Sequence, residues 1–119
     1  MEFKTGEINI VCADLDRSLT FYRDILGFTL IEREGIACRL QCENTCFLLL
    51  PVANSPRSRE PYCSIPIISF DLLVDDIEKA YKYLQENKVE FEAELEPGSP
   101  RFFILDPDGL VIEIIQKKK

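Results

Sequence analysis

Apolar and polar residues alternate along several short stretches of the chain, and two other stretches carry apolar residues at helical spacing. Alternation is typical of strands, and a spacing of three to four residues is typical of helices. Asp14 precedes one helical stretch and Asp76 precedes the other, and both are good helix N-caps. The pattern predicts helices over 15–26 and 76–86, and strands over 7–13, 28–33, 36–42, 46–50, 67–74, 89–95, 101–105 and 110–116.

The order of these elements repeats along the chain. The capping residues Asp14 and Asp76 are 62 positions apart, and the same offset relates Arg39 to Arg101. A fixed internal period indicates repeated structural units. Each unit has a strand, a helix and three further strands, which is too little to bury a sheet alone, so two units (or four in a dimer) must share a core. We expect a single domain over 1–119, with module one at about 5–51, a connecting loop at about 52–66 and module two at about 67–116.

Alternation along the strands separates an apolar face from a mixed face. The apolar face, which includes Ile10, Leu40 and Ile112, is expected to pack against the helices. The mixed face is predicted to carry Glu7, Asn9, Arg39, Gln41, Phe47, Leu49, Ser69, Asp71, Arg101, Phe103, Val111 and Glu113.

Two interpretations of the mixed face are open. A sheet that is covered by helices on one side can leave its other side in water. Against this, the mixed face combines charges of both signs with aromatic and aliphatic residues, and it carries an arginine in each module. An apolar lining with a few orienting polar groups is typical of a small-molecule site. We therefore expect a ligand cavity.

The composition limits the possible partners. The chain has 119 residues, of which 46% are hydrophobic and 29% are charged, and its net charge is −7. These proportions are typical of a globular protein, and the acidic balance argues against nucleic acid as a partner. No apolar run approaches the ~18 residues that a membrane span needs. We expect a cytoplasmic protein with no membrane association.

The five cysteines suit a reducing compartment, because their number is odd and no C-x-x-C pair occurs. Cys38, Cys42 and Cys46 lie close together in the predicted hairpin, which is one pattern for a metal or redox site. The alternative, which we prefer, is that they alternate with Leu40 and Leu48 on one face as small apolar residues.

The chain contains no histidine. A Ser-His or Cys-His catalytic pair is therefore excluded. No glycine-rich loop of the dinucleotide-binding or phosphate-binding type occurs either. The candidate chemistry consequently rests on the carboxylates and arginines of the mixed face.

Two segments, Asp14 to Phe28 and Asp106 to Ile114, resemble the vicinal oxygen chelate superfamily. This superfamily includes glyoxalase I, extradiol dioxygenases, fosfomycin-resistance enzymes and bleomycin-binding proteins. The resemblance implies an α+β fold in which paired βαβββ modules form a curled mixed sheet, a half-barrel with the helices on its outer face. It also implies a homodimer with a ligand cavity inside the curl.

In metal-dependent members, the ligands are typically His or Gln on the first strand of a module and Glu on its last strand. By the resemblance, these positions are Glu7, Ser69, Leu49 and Glu113. Glu113 matches the family ligand, and Glu7 replaces a histidine. Ser69 is a poor ligand and Leu49 is none. The missing histidines argue against a dioxygenase.

Two carboxylates alone hold nickel, zinc or iron weakly, whereas Mn²⁺ and Mg²⁺ accept sites made only of oxygen ligands. We therefore expect no firmly held cofactor. If a divalent metal binds weakly, its candidate ligands are Glu7 and Glu113.

The roles of the charged residues stay open at this point. Arg39 and Arg101 can neutralise nearby carboxylates in a structural network, or they can present their guanidinium groups to a carboxylate or phosphate ligand. A carboxylate such as Glu113 can instead act as a general acid or base. Three residues of the connecting loop either stay in solvent or close over a ligand: Arg57, Arg59 and Tyr62.

We expect a small-molecule-binding protein with a polar or anionic ligand and no strongly held metal. The expected ligand-binding residues are Glu7, Asn9, Arg39, Gln41, Phe47, Ser69, Asp71, Arg101, Phe103 and Glu113. The alternative is an atypical lyase or isomerase of the glyoxalase I type, in which Glu7 and Glu113 hold a metal or Glu113 acts as a base. Whether the protein is an enzyme is left open.

Overall fold

The computed structural model describes residues 1–55 and 60–118. The chain divides into two compact units, unit 1 (Met1–Pro56) and unit 2 (Arg57–Lys119). Each unit has a strand, a helix and three further strands, which confirms the predicted α+β fold built from βαβββ modules. Arg57 and Arg59 of the predicted connecting loop lie outside the described residues. Within the described part of the chain, no helix is long and apolar enough to cross a membrane.

In unit 1 the helix, α1, begins after Asp14, whose carboxylate accepts a hydrogen bond from the amide of Arg17 at 3.1 Å. The helix is α-helical over Leu15–Leu19 and has π-helical hydrogen bonding over Thr20–Ile25. It ends at Gly27, where the backbone φ of 82° favours glycine. The strands are β1 (Ile8–Val11), β2 (Thr29–Glu34), β3 (Ala37–Cys42) and β4 (Thr45–Leu50).

In unit 2 the helix, α2, spans Ile77–Glu86 and is capped by Asp76. The strands are β5 (Phe70–Val74), β6 (Glu90–Ala93), β7 (Arg101–Leu105) and β8 (Val111–Gln116). Each unit forms one four-stranded mixed sheet, with the order β1-β4-β3-β2 in unit 1 and β5-β8-β7-β6 in unit 2. In both sheets the first strand runs parallel to the last one, and the other pairs are antiparallel.

The helix of each unit packs on the apolar face of its own sheet through aromatic residues. In unit 1 the ring centroid of Tyr22 lies 5.6 Å from that of Phe28, which lies 5.1 Å from that of Phe47 on β4. In unit 2 the ring of Tyr81 on α2 lies 4.8 Å from Phe91 and 5.2 Å from Phe102. Packed rings of this kind add about 0.5–1.5 kcal/mol to the burial of their area.

The prediction that Phe47 and Leu49 lie on the mixed face is wrong. Phe47 is aligned with Leu40 and Leu49 with Cys38, and the two side chains are only 3% and 0% exposed. Both therefore belong to the core of unit 1. The reason is that β4 is apolar at five successive positions, so its alternation gives no sign of which residues face inward.

The observed register of β3 and β4 also corrects the predicted arrangement of the cysteines in this hairpin. Cys46 is aligned with Gln41, and Leu48 with Arg39, so both lie on the mixed face. Cys38 and Cys42 lie on the opposite, apolar face, because side chains alternate along a strand. The prediction that Cys46 shares a face with them is wrong.

The 62-residue offset holds at the first strand of each unit but not at the last one. Asn9 is aligned with Leu48, whereas its counterpart Asp71 is aligned with Glu113. The unit 1 position that corresponds to Glu113 is therefore Leu48, not Leu49, and the offset there is 65 residues.

The two arginines are also not equivalent in register. Arg39 is aligned with Leu48, and the residue aligned with Glu113 on β7 is Phe103. Phe103, not Arg101, therefore stands at the position of Arg39. The prediction of an arginine at the same place in both modules is wrong, because the connection before β7 is longer than the one before β3.

Candidate functional site

In unit 1, Arg39 on β3 is surrounded by three carboxylates. Its Nε and Nη2 donate to the two carboxylate oxygens of Glu7, the second at 3.1 Å. Its Nη1 donates to Glu32, and Nη2 also donates to Glu34 at 2.8 Å. The Arg39 side chain is 20% exposed. All three nitrogens of its guanidinium therefore have partners within unit 1. We call this set of four residues the Arg39 cluster.

The ionisation of Glu7 follows from this arrangement. The hydrogen bond from Arg39 lowers the pKa of Glu7 and the positive charge of Arg39 lowers it further, while desolvation opposes both. The same contacts, with those from Glu34 and Glu32, raise the pKa of Arg39. Of the two roles left open for Arg39, the structure thus contains the first one, an ion pair with a nearby carboxylate.

The other two members of the cluster, Glu32 and Glu34, were not predicted from the sequence pattern. The strand β2 has a bulge between Leu30 and Glu32, and the bulge brings Glu32 into register with Arg39. A bulge adds a residue to one strand and shifts its alternation. The only signal for it in the sequence is the pair Leu30-Ile31, where two apolar residues interrupt the alternation.

Two further predicted residues of unit 1, Asn9 and Gln41, lie on the mixed face but have different surroundings. Asn9 is exposed on β1 and aligned with Leu48. Gln41 is half-buried, and its side-chain nitrogen donates to the carbonyl of Glu43 at 2.8 Å in the adjacent turn. Phe47, which was predicted to contact a ligand, lies in the core, as described above.

In unit 2 the predicted residues lie together on the mixed face. Asp71, Glu113 and Phe103 form one row across β5, β8 and β7. The Nη1 of Arg101 donates to Oε1 of Glu113 at 2.7 Å. The Glu113 side chain is 12% exposed and that of Arg101 is 52% exposed. This ion pair therefore joins a mostly covered carboxylate to a guanidinium that is open to solvent.

Tyr62 brings the segment before β5 onto the same face. Its hydroxyl oxygen lies 3.1 Å from the Oγ of Ser69, and its ring centroid lies 5.2 Å from that of Phe103. Tyr62 was considered only as a residue of the connecting loop. We define the unit 2 site as the residues that share this face: Tyr62, Ser69, Asp71, Arg101, Phe103 and Glu113.

These residues combine two kinds of chemistry. Tyr62 and Phe103 offer an aromatic wall, and Ser69 with Tyr62 offers hydroxyls that either donate or accept hydrogen bonds. Beside them, Asp71 and Glu113 are acceptors, while Arg101 retains N–H groups beyond the one that Glu113 uses. Such a surface suits a molecule with an apolar body and a charged or polar group.

The positions that the resemblance assigns to metal ligands make other contacts in the structure or lack a donor atom. Within 1–55 and 60–118, no group of three or more His, Cys, Asp or Glu side chains is placed to hold a metal ion. Glu7 is engaged by Arg39 and Glu113 by Arg101. Leu48, which stands where unit 2 has Glu113, has no donor atom. Ligation of Mn²⁺ or Mg²⁺ by the two glutamates stays a prediction.

Comparison with known proteins agrees with this fold. Residues 4–114 match the model of the Glyoxalase/Bleomycin resistance protein/Dioxygenase superfamily. The uncharacterized protein YaeR of Escherichia coli (strain K12) is 32% identical over 123 residues, which cover 92% of this chain and 93% of YaeR. The metallothiol transferase FosB of Staphylococcus epidermidis is 29% identical over 117 residues, which cover 90% of this chain and 79% of FosB.

Solved structures show the same fold at lower identity. The fosfomycin resistance protein FosX from Listeria monocytogenes superimposes with a TM-score of 0.77 at 11% identity, covering 99% of this chain and 94% of FosX. Leishmania major glyoxalase I, which is trypanothione-dependent, gives a TM-score of 0.74 at 23% identity, covering 97% of this chain and 87% of that enzyme.

Proposed function

Because the chain belongs to the Glyoxalase/Bleomycin resistance protein/Dioxygenase superfamily, we propose that it is a small-molecule-binding protein that uses the unit 2 site. The proposed ligand has an anionic group and an apolar or aromatic body, and no strongly held metal takes part. The observation that carries the proposal is the contrast between the two arginines.

Arg39 and Arg101 differ in how many of their N–H donors already have carboxylate acceptors. Arg39 donates to three carboxylates and is mostly covered, so an incoming anion would have to compete with Glu7 and two further glutamates. Within the part of the chain that the structure describes, Arg101 makes one ion pair, to Glu113, and half of its side chain is exposed. A guanidinium has five N–H groups, so Arg101 retains donors for a bidentate contact with a carboxylate or phosphate. We assign anion recognition to Arg101 alone.

The neighbours of Arg101 suit the rest of such a ligand. Phe103 lies on the same strand and face, and the ring of Tyr62 beside it extends the aromatic surface. On the other side, Asp71 and Glu113 would accept hydrogen bonds from hydroxyl or amine groups of the ligand. Glu113 would also hold the guanidinium of Arg101 in place, since the two are joined at 2.7 Å.

A binding experiment with two probes tests the assignment. Phenylphosphonate has an aromatic ring and an anionic group, and benzyl alcohol has a similar ring without the charge. We expect calorimetry to detect binding of phenylphosphonate. Arg101→Gln should lower the affinity about 10- to 150-fold, which is the loss expected when a charge-assisted hydrogen bond is removed. Benzyl alcohol should bind weakly to both proteins.

Arg39→Gln is the matched control, since it removes the same charge from the other unit. We expect this variant to bind phenylphosphonate like the wild type, although it should be less stable. Equal losses in the two variants, or binding of benzyl alcohol as tight as that of phenylphosphonate, would contradict the proposal.

A second candidate function is an enzyme of the glyoxalase type, a lyase or isomerase. It is supported by the similarity to metallothiol transferase FosB and by the low exposure of Glu113, whose carboxylate lies beside Asp71 in register. In this candidate Glu113 would act as a general base, and Arg101 would hold an anionic group of the substrate. The donor set does not fit a chelated metal, so no step is assigned to one.

Calorimetric titration of the metal-free protein with Mn²⁺ tests the absence of a strongly held metal, which both candidates assume. We expect no stoichiometric heat, because both candidate glutamates are engaged by arginines. Stoichiometric binding that disappears in Glu113→Gln would favour a metal-dependent enzyme instead. Assembly as a homodimer and a cytoplasmic location remain predictions of the sequence analysis.

A further inference from the structure

Unit 2 contains a cavity of about 500 Å³ that is separate from the unit 2 site. It lies at the beginning of α2, where Ile77, Glu78 and Tyr81 face the connection between β6 and β7. Residues 95–100 of that connection and Gln116 complete its lining. None of these residues belongs to the unit 2 site, and the volume falls in the usual range for small-molecule pockets.

Internal contacts hold the walls of this cavity in place. The amide of Gln116 donates to the carbonyl of Pro100 at 2.7 Å, and the hydroxyl of Ser99 donates to the carbonyl of Arg101 at 3.0 Å. The ring of Tyr81 contacts those of Phe91 and Phe102, with centroids 4.8 and 5.2 Å away, and these two rings also contact each other. Part of the lining is therefore held by contacts within unit 2.

The N-terminus of a helix usually favours an anion, but here the backbone amides of residues 77–80 already donate to other acceptors. The amide of Ile77 donates to the side-chain oxygen of Gln116 at 2.8 Å. The amides of Glu78 and Lys79 donate to the carboxylate of Asp76, and that of Ala80 donates to the carbonyl of the same residue. The amides of residues 77–80 therefore all have acceptors within unit 2, which makes them poor donors to an anion.

The side chains that line the cavity favour the opposite charge. Among the described residues that line the cavity, the charged ones are Glu78 and Glu96, and both are exposed. Among residues 1–55 and 60–118, neither carboxylate has an ion-pair partner. The rest of the lining is mainly apolar, with Ile77, Leu95 and two prolines, and Tyr81 adds an aromatic ring of the kind that attracts cations.

We propose that this cavity is a second ligand site, which binds a small organic cation with an apolar body, such as an arylalkylammonium ion. The two carboxylates would bind the ammonium group, and the apolar residues with Tyr81 would contact the hydrocarbon part. The net charge of −7 would also favour a cation over an anion at this surface. The proposal does not depend on the function assigned to the unit 2 site.

The test uses 2-phenylethylammonium as the probe and backbone amide chemical shifts of the full chain as the measurement. Two matched probes, 2-phenylethanol and phenylacetate, have a similar hydrocarbon part with no charge or a negative charge. We expect the ammonium ion to bind in roughly the millimolar range, with shifts at the start of α2 and over residues 95–100. Phenylethanol should bind several-fold more weakly.

A pair of isosteric variants identifies the residues responsible. Glu78→Gln with Glu96→Gln should weaken binding of the ammonium ion about 3- to 10-fold, as expected for two exposed ion pairs. The control, Glu86→Gln with Glu92→Gln, removes the same charge from exposed positions outside the lining and should leave binding unchanged. Equal affinity for 2-phenylethanol, equal losses in both double variants, absence of binding, or shifts confined to the unit 2 site would each overturn the proposal.

Discussion

Substitution of Phe47 by alanine tests the assignment of this residue to the core of unit 1. The ring is 3% exposed, its centroid lies 5.1 Å from that of Phe28, and it is aligned with Leu40 on β3. Removing a fully buried phenylalanine ring costs about 3–5 kcal/mol, because the lost burial is added to the cost of the cavity that remains. If Phe47 instead lined a ligand face, the substitution would weaken binding and change stability little.

Phe103→Ala is the matched control, because it removes the same ring from a half-buried position on the mixed face of unit 2. Phe103 loses its contact with Tyr62, and we expect a cost of about 1 kcal/mol. The two variants thus separate burial in the core from exposure at a site, with side-chain chemistry held constant.

Urea unfolding followed by circular dichroism measures both costs. With a slope of about 1.5–2 kcal/mol per molar urea, the midpoint should fall by roughly 2 M for Phe47→Ala and by roughly 0.5 M for Phe103→Ala. A cost below about 1 kcal/mol for Phe47→Ala, or a larger cost for Phe103→Ala, would refute the assignment.

Two further substitutions test local contacts. The pKa of Glu7 is lowered in the folded chain, so its contribution to stability is present above the unfolded pKa of about 4.3 and is lost as the pH falls through the lower folded pKa. Urea unfolding at a series of acidic pH values should therefore show a shallower loss in Glu7→Gln, and identical slopes would contradict the ion pair with Arg39. Asp106 is buried, and its Oδ1 accepts from two backbone amides at 2.9 and 2.8 Å in the turn before β8. Asp106→Ala should cost about 1–3 kcal/mol in urea unfolding, and Asn44→Ala in the exposed turn of unit 1 should cost far less.

The fold class was predictable because its signals are local. Asp14 and Asp76 cap their helices as expected, and each lies at the start of a repeated pattern. The mixed face of unit 2 was predictable for the same reason, because Asp71 and Glu113 alternate with apolar residues. A charged residue between two apolar neighbours identifies the face on which it lies.

The mixed face of unit 1 was harder to predict because β4 offers no such contrast. With five apolar residues in succession, only its register with β3 places Phe47 inside and Leu48 outside. The position of Tyr62 was also beyond the sequence pattern, since its segment has no periodicity and its contact with Phe103 depends on tertiary packing.

The departure from the 62-residue repeat is related to the chemistry of the two units. From the aligned pair Glu32 and Arg39 to the corresponding pair Ala93 and Phe103, the intervening chain is three residues longer in unit 2. Those extra residues belong to the connection that forms one wall of the 500 Å³ cavity. On β7 of unit 2, Phe103 rather than an arginine lies opposite Glu113, and Arg101 lies at the start of the strand, where half of its side chain is exposed. In unit 1 the equivalent position keeps an arginine, and three carboxylates surround it. Among the described residues, unit 2 therefore differs from unit 1 in two respects that matter here: it has an arginine with donors available to a ligand, and a cavity whose two carboxylates have no ion-pair partner.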